Sequence, residues 1–537
     1  MRFGSAGLKG QTVADLIFSP SDDPNGSRAI SRRHQDGELI YISAGIYARS
    51  GAEPIERVVL RNWSRIVGHL VPDGVVTDRT GFDSRPYKDS EGETPEAVVF
   101  MSAPKTRNIL RVRGLVINVR EGPGPVESDL AFLGTWIASP GRLLLDNLAV
   151  SRQRGIVART VGVKAIENYL DSKCTTEGEG YLNKIRDEAR SLAPTLGRED
   201  EFGRLDNIIG TLLHTRQAKL VTSAGQARAR GEPYDEACLK RLTLLQQYLS
   251  NRAPVMVADE DKTPARRQGG AFIEAYFSNY IEGTQFLIDE AVNIVFDGQM
   301  PAARPQDGHD VLGTYLQLVE LEARRAATID PNVFIDEVRE RHRRLMGGRE
   351  DIKPGVFKDK ANRAGNTTFV TPDRVVGTLK AGIGLLGGVT DPFSRAVIVH
   401  FLLADVHPFN DGNGRISRIM MTKELIGSGL SRIVIPTVYR GDYLDALRAL
   451  SRNDNPSILV RSLEFCQKVS AACSSDTTHR AIDNWARSYA FCEDAAHARL
   501  SLPDPATVLQ NKGGVLAPAD YWSALEPGTN DGLPFRF

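Results

Sequence analysis

His407-Pro-Phe-Asn-Asp-Gly-Asn-Gly-Arg-Ile-Ser-Arg418 decides how this chain is read. It follows an apolar run, Phe393–Val406, and leads into a run with helical apolar spacing, Gly414–Ile426. Gly427-Ser428-Gly429 then stands where a helix should stop. The spacing predicts helix, loop and helix, with the loop opening the second helix as an anion cradle. Gly412 and Gly414 have no side chain to block backbone approach, and the N–H groups of a helix start favour a phosphate. Asn413 adds an amide donor. Asp411 is a hard oxygen ligand suited to Mg²⁺, which binds through one or two carboxylates plus substrate phosphates. Arg415 and Arg418 stand three residues apart, which predicts one shared helix face and joint access to a polyphosphate. Ile416, Ile419 and Met420 anchor the opposite face. His407, with an ordinary pKa near neutrality, is placed to take a proton from an incoming hydroxyl. Pro408 and Phe409 read as structural, the ring plugging the core beneath the loop.

The rest of the chain sets broader bounds. Its 537 residues carry 67 Lys+Arg against 67 Asp+Glu, a formal net charge of +0 that excludes neither an anionic partner nor local fields. Hydrophobic content of 41% and charged content of 25% are globular values, and several structural units are expected. No window reaches the roughly 20 apolar residues of a bilayer helix, and Met1-Arg-Phe-Gly-Ser-Ala-Gly7 lacks a secretory pattern. Five scattered cysteines, none in C-x-x-C spacing, predict reduced thiols in a cytoplasmic protein without membrane partners.

Along the chain, a turn-rich start precedes the basic segment Arg28–His34 and two short strands, Leu39–Ile42 and Ile46–Ala48. A basic helix beside a hairpin is the outline of a winged helix-turn-helix; a surface helix next to any hairpin fits as well. Ala97–Met101 and Gly114–Val119 read as strands, with helices near 140–150 and 160–171. Arg107, Arg111, Arg113 and Arg120 form either a basic patch or a strand face paired with acids. Helices are expected at Leu213–Ala229, Glu236–Leu249, Phe272–Asn293, Val311–Ala326 and about 480–499, with loops at Gly298–Pro301 and Arg304-Pro305 and coil to Phe537.

Eight nearly fixed positions at about one in 20 each, over about 500 starts, give a chance expectation for the loop on the order of 10⁻⁸. The segment resembles the signature of the Fic family, HPFx(D/E)GNGRxxR, at every position. Asp391-Pro-Phe-Ser-Arg-Ala396 with His400-Phe401 resembles the family's upstream helix, Asp391 replacing the usual His. Lys353-Pro-Gly-Val-Phe-Lys358 resembles the start of the family's flap, with Lys358 for the usual Arg, and Phe369-Val-Thr-Pro372 its end. Tyr439–Leu447 resembles the segment beside the adenine pocket. The likeness covers roughly 270–470 and implies transfer of AMP from ATP, with Mg²⁺, to a Ser, Thr or Tyr hydroxyl of a target protein or of the chain itself, releasing pyrophosphate. It implies His407 as base, Asp411 at the metal, and Gly412, Asn413, Gly414, Arg415, Arg418, Thr368 and Tyr443 around ATP. Phosphotransferring relatives carry Lys where this chain has Gly414; UMP and phosphocholine transfer stay open, as does a homodimer.

Phe277-Ser-Asn-Tyr-Ile-Glu-Gly-Thr284 contains S-x-x-x-E-G, which resembles the family's inhibitory helix. The i, i+4 spacing puts Ser278 and Glu282 on one face. Its place in an apolar helix upstream of an intact motif favours the functional reading over a plain helix surface. The resemblance implies that Glu282 pairs with Arg418 and denies it to the γ-phosphate; in some relatives the same glutamate supports removal of AMP.

Gly37–Tyr47 and Pro140–Leu148 loosely resemble AbiE-type antitoxins, which implies DNA contact through residues 28–50. The expected fold class is multidomain α+β: a mainly α-helical Fic domain with a β-hairpin flap, after a winged-helix-like and α/β N-terminal region. The expected divisions are 1–50, 51–195, a helical connector 196–268, a Fic domain 269–470 with its inhibitory helix, and 471–537. A self-inhibited nucleotidyltransferase competes with a DNA-binding toxin–antitoxin-type regulator whose Fic domain is silent or senses nucleotide.

Overall fold

The computed structural model describes residues 15–19, 24–51, 53–88, 96–105, 109–151, 157–259, 263–321 and 330–525. Arg107, the last residues of the helix expected to reach Ala326, and the end of the C-terminal coil lie outside them. The chain forms two compact units, Met1–Ala229 and Arg230–Phe537.

The first unit opens with β1 (Leu16–Phe18), α1 (Pro24–Gln35), β2 (Leu39–Ser43) and β3 (Ile46–Arg49). The strands pair antiparallel in the order β1–β3–β2, and the expected hairpin turns at Gly45, whose φ of +72° suits glycine. Among the described residues α1 is the one helix before the hairpin; α2 (Ile55–Arg61) and α3 (Trp63–Leu70) follow it. Next come β4 (Val75–Val76), α4 (Asp78–Asp83), β5 (Ala97–Ala103), β6 (Leu110–Val112), β7 (Leu115–Glu121), β8 (Leu130–Phe132) and β9 (Thr135–Ile137). They build a six-stranded mixed sheet ordered β6–β7–β5–β4–β9–β8. Both apolar runs expected as strands lie inside it, β5 beside β7 in parallel. Of the crowded arginines, Arg111 pairs with Glu96, and Arg120 reaches Asp78 at 3.1 Å and Asp146 at 2.7 Å, the arrangement of a paired strand face.

A helical bundle completes this unit: α5 (Pro140–Leu148), α6 (Val163–Glu177), α7 (Glu179–Leu196), α8 (Glu199–Leu212) and α9 (Ser223–Ala229), around Leu145, Ile166, Leu182 and Ile209. The helix expected from Leu213 starts only at Ser223. His214, at φ +58°, ends α8, and the Thr215 N–H bonds back to Gly210 O at 2.7 Å, a left-handed stop that apolar spacing does not register.

The second unit contains α10 (Glu236–Ser250), α11 (Pro264–Ile281), α12 (Ile288–Phe296), α13 (Pro305–Leu321), α14 (Pro331–Leu345), the hairpin of β10 (Arg363–Ala364) and β11 (Thr367–Thr368), and α15 (Val375–Gly384). α16 (Pro392–Val406) and α17 (Asn413–Ile426) follow, then α18 (Arg440–Asn453), α19 (Pro456–Cys473), α20 (Thr478–Arg487), β12 (Leu509–Lys512), β13 (Val515–Pro518) and α21 (Ala519–Leu525). α16 and α17 are the buried centre of one large core. Asp391, whose side chain accepts from Ser394 N at 2.8 Å, caps α16, so the departure from the family's His serves as an N-cap.

The helix expected over Phe272–Asn293 is two helices. α11 stops at Ile281, Gly283 turns at φ +93°, and the Thr284 N–H closes the end on Asn279 O at 3.1 Å. The helix expected near 480–499 ends at Arg487, where Tyr489 takes φ +61°, and the expected coil contains the β12–β13 hairpin and α21. This C-terminal part seats α11: the Phe277 ring lies 5.0 Å from Phe491 and 5.6 Å from Trp485. None of the five cysteines forms a disulfide, and among the described residues no helix is long and apolar enough to cross a membrane.

Candidate active site

Two helix ends make the site. α16 terminates at His407, which adopts φ +52°, and α17 begins after Gly412 at φ +77°. A Cβ on Gly412 would fall 2.9 Å from Met346 Sδ as well as in a left-handed conformation, so glycine is required there. The loop is braced from inside. Asn413 Oδ1 accepts from Phe409 N and its Nδ2 donates to Phe409 O, both at 2.8 Å. The Phe409 ring is fully buried and stacks on His342 with centroids 3.6 Å apart. His342 accepts from Gly355 N at Nδ1, so its Nε2–H donates to Asp411 O at 2.9 Å. Phe409 thus plugs the core as its sequence context implies, while the Asn413 side chain is spent on the loop itself. The first-turn N–H groups of α17, Asn413, Gly414 and Arg415, have no acceptor within their own helix and form the anion face.

His407 is nearly enclosed. Its ring stacks on Phe369 at 3.8 Å, 6° from parallel. Nδ1 lies 3.3 Å from Ala404 O, and since a carbonyl only accepts, Nδ1 carries the hydrogen and Nε2 the free lone pair. Burial, aided by the Lys358 charge, lowers its pKa to about 4, so the neutral ring persists across the physiological range.

The two arginines part company. Arg415 is buried and bonds Asp310 at 2.7 Å and Asn279 at 3.3 Å; it does not line the cavity. Both arginines face α11, but the expected joint access to a polyphosphate is not what the geometry gives: Asp310 of α13 holds Arg415 in the core, away from the cavity lining. Arg418 does reach the cavity, and it is already occupied. Its Nε donates to Ser278 Oγ at 2.9 Å, and its Nη2 to Ser278 O at 2.9 Å and Glu282 Oε1 at 2.7 Å. Burial opposes the Arg418 charge, and the Glu282 carboxylate and Tyr443 hydroxyl together outweigh it, holding the guanidinium pKa above its usual value. Glu282 also lies across the cradle, since a Cβ built on Gly414 would sit 1.9 Å from its Oε1.

The cavity holds about 750 Å³ and is lined by Glu282, Phe369, His407, Gly414, Arg418 and Tyr443, with Arg440, Arg448 and Arg452 along α18. Four arginines against Glu282 and Asp445 give it a cationic wall, and its volume suits a nucleotide. Tyr443 is buried, its hydroxyl 3.0 Å from His400 Nε2. Thr368 is exposed in the hairpin and not part of the lining; its neighbour Thr367 is, and takes Arg452 at 2.7 Å. Asp411 is exposed beside the cradle, one oxygen accepting from Gly412 N at 2.6 Å. Among the described residues no cluster of three potential ligands surrounds it. A lone carboxylate fits an Mg²⁺ that relies on substrate phosphates for its remaining ligands.

Sequence reasoning missed Asp310, His342 and Asn362. Each lies on a separate element and acts only through tertiary contact, so no local spacing announces it. Asn279 had a signal, one position from Ser278 in the S-x-x-x-E-G motif.

His400 gives a pH prediction. Full burial, with Arg418 nearby, lowers its pKa to about 3, whereas the unfolded chain binds that proton near pH 6.5. Its contribution is complete above about pH 6.5 and falls as acid protonates the unfolded state, reaching about 2 kcal/mol of lost stability at pH 5. Urea unfolding between pH 7.5 and 5 should show His400→Gln losing less stability than wild type. Equal losses would contradict the assignment.

Residues 332–425 match the model of the Fic/DOC family. The chain is 28% identical over 188 residues to protein adenylyltransferase fic-1 of Caenorhabditis elegans, covering 34% of this chain and 37% of that protein. It is 27% identical over 218 residues to protein adenylyltransferase Fic of Drosophila yakuba, covering 39% of this chain and 43% of that one. The chain thus spans less than half the length of these curated relatives. Among solved structures, Fic-1 (residues 134–508) of C. elegans aligns at 21% identity with a TM-score of 0.34, over 60% of this chain and 96% of that one. Residues 332–425, with the loop they contain, thus form a segment of the Fic/DOC family type within this chain.

Proposed function

We propose that the chain is a self-restrained protein adenylyltransferase, moving AMP from ATP to a protein hydroxyl. One observation carries the reading: a neutral, enclosed His407 faces the same cavity as an Arg418 that is complete but engaged by Glu282. With ATP on the α17 cradle, the hydroxyl oxygen attacks the α-phosphorus and its proton passes to His407 Nε2. The bond to the bridging oxygen breaks, and pyrophosphate leaves. His407 keeps its second hydrogen on Ala404 O throughout, which fixes the ring for proton transfer. Asp411 would hold Mg²⁺, which supplies neutralisation of phosphate charge when bound. Arg418, once free, grips the terminal phosphate, so catalysis rests on position and charge. The flap and the α18 wall would hold the target segment and the base of the nucleotide.

The reading in which the chain acts chiefly through DNA, with a silent Fic domain, has less support. A silent site would not need His407, the cradle and Arg418 preserved together.

In a variant released at Glu282, His407→Ala is expected to leave the ATP Kd within about twofold and to lower transfer by at least about 100-fold. Transfer that persists at the parent rate would remove His407 from the role of base.

A further inference from the structure

We propose that Lys358 and Asn362 are positioning residues that fix His407 for proton transfer, by holding every backbone carbonyl from Val406 to Phe409. The inference rests on His407 being the base. The C-terminal carbonyls of a helix have no partners in that helix, and those of α16 lead directly into the His407 turn. Lys358 Nζ donates to Val406 O at 3.1 Å and its backbone N–H to Pro408 O at 2.9 Å. Asn362 Nδ2 donates to His407 O at 3.4 Å and Phe409 O at 3.0 Å. Lys358 Nζ also donates to Asn362 Oδ1 at 2.7 Å, joining the two donors into one brace. Two residues from the start of the flap therefore take four consecutive carbonyls.

The composition of the brace argues for a role beyond packing. Lys358 is only 3% exposed, and among the described residues no carboxylate pairs with it. A buried ammonium without an acid is costly, and an apolar side chain of equal length would fill the space more cheaply. Its compensation is the negative end of α16, whose last carbonyl it binds. The result holds a residue in the left-handed region, where a side chain costs about 1–2 kcal/mol. The same flap supplies Phe369, whose ring stacks on His407 and lies 6.0 Å beneath the Lys358 ammonium. Lys358, Phe369 and His407 thus form one stack, and the Phe369 N–H closes the flap base on Asn362 O at 3.3 Å. The base and the flap are seated by the same two residues, through side chain and backbone together. Lys358 touches neither the cavity nor the cradle, so it acts through His407.

The test uses the full chain with Glu282→Gly as parent. Lys358→Met should lower kcat about 100-fold, the loss expected for a base displaced by about 1 Å, with the KM for ATP within about twofold. Lys358→Arg, which keeps a cationic donor, should recover most of that loss. Asn362→Ala should lower kcat in the same direction, and serves if Lys358→Met does not fold. Carbethoxylation of His407 by diethyl pyrocarbonate, followed by peptide mass spectrometry, reads the pose without any transfer reaction. It should accelerate severalfold in Lys358→Met and not in Lys358→Arg. An unchanged kcat with unchanged His407 reactivity overturns the proposal, as does a raised KM at constant kcat. If the parent shows no His407-dependent transfer while the carbethoxylation contrast holds, the adenylyltransfer reading fails and the brace stands.

Discussion

Glu282→Gly is expected to tighten ATP binding about 10- to 100-fold while leaving ADP nearly unchanged. Arg418 donates to Glu282 Oε1 at 2.7 Å, and the two charges sit in a buried setting, the arginine side chain 3% exposed and the glutamate 27%. A guanidinium engaged there cannot also serve a terminal phosphate, so ATP must displace Glu282 or bind without that contact. A charge-assisted hydrogen bond of this kind amounts to roughly 1.5–3 kcal/mol, which sets the expected fold-change. The carboxylate also repels phosphate directly, because it lies on the first turn of α17 against Gly414. Removing it leaves Ser278 Oγ and Ser278 O to orient Arg418. Glu282→Gln, which keeps the shape and removes the charge, should fall between the two. Calorimetric titration with ATP and ADP separates the effects. Equal tightening for both nucleotides would mean that Glu282 blocks the cavity without competing for the terminal phosphate.

Asp310→Ala should destabilise the second unit by about 3–5 kcal/mol, the usual cost of leaving a buried charge without its partner. Asp310 is fully buried and holds two guanidinium groups, Arg415 at 2.7 Å and Arg349 at 2.9 Å. Arg415 is itself 3% exposed and bonds Asn279 of α11, so the loss would loosen the joint between α17 and α11 as well as the core. Asp310→Asn should cost less, and Arg415→Met combined with Asp310→Ala should recover part of the loss, because the uncompensated charge goes too. Urea unfolding of the four chains measures this. A loss below about 1 kcal/mol for Asp310→Ala would show that water or relaxation compensates Arg415.

The fold of the second unit was legible where local rules act alone. Apolar spacing placed α16 and α17, and glycines at 412 and 414 marked the cradle because backbone approach needs them. The i, i+4 pair of Ser278 and Glu282 reads directly as one helix face, and both do meet Arg418. Spacing misled where it counted positions without surroundings. Arg415 and Arg418 lie three apart and both reach α11, yet Asp310 of α13 takes Arg415 while Glu282 takes Arg418, so one lies in the core and the other at the cavity. Apolar periodicity likewise ran through Glu282–Gly283, through His214 and through Tyr489, since a left-handed stop alters backbone direction without altering hydrophobicity. Asp310, His342 and Asn362 were invisible because their partners are 105, 69 and 47 residues away in sequence.

The central claim is that the site is competent and held off by one intramolecular pair. It is tested most directly by incubating wild type and Glu282→Gly with ATP labelled at the α- or the γ-phosphate and following label on protein. The account predicts strong α-label on Glu282→Gly, little on wild type, and no retained γ-label on either. Equal α-labelling of the two chains, or γ-label on the released variant, would contradict it.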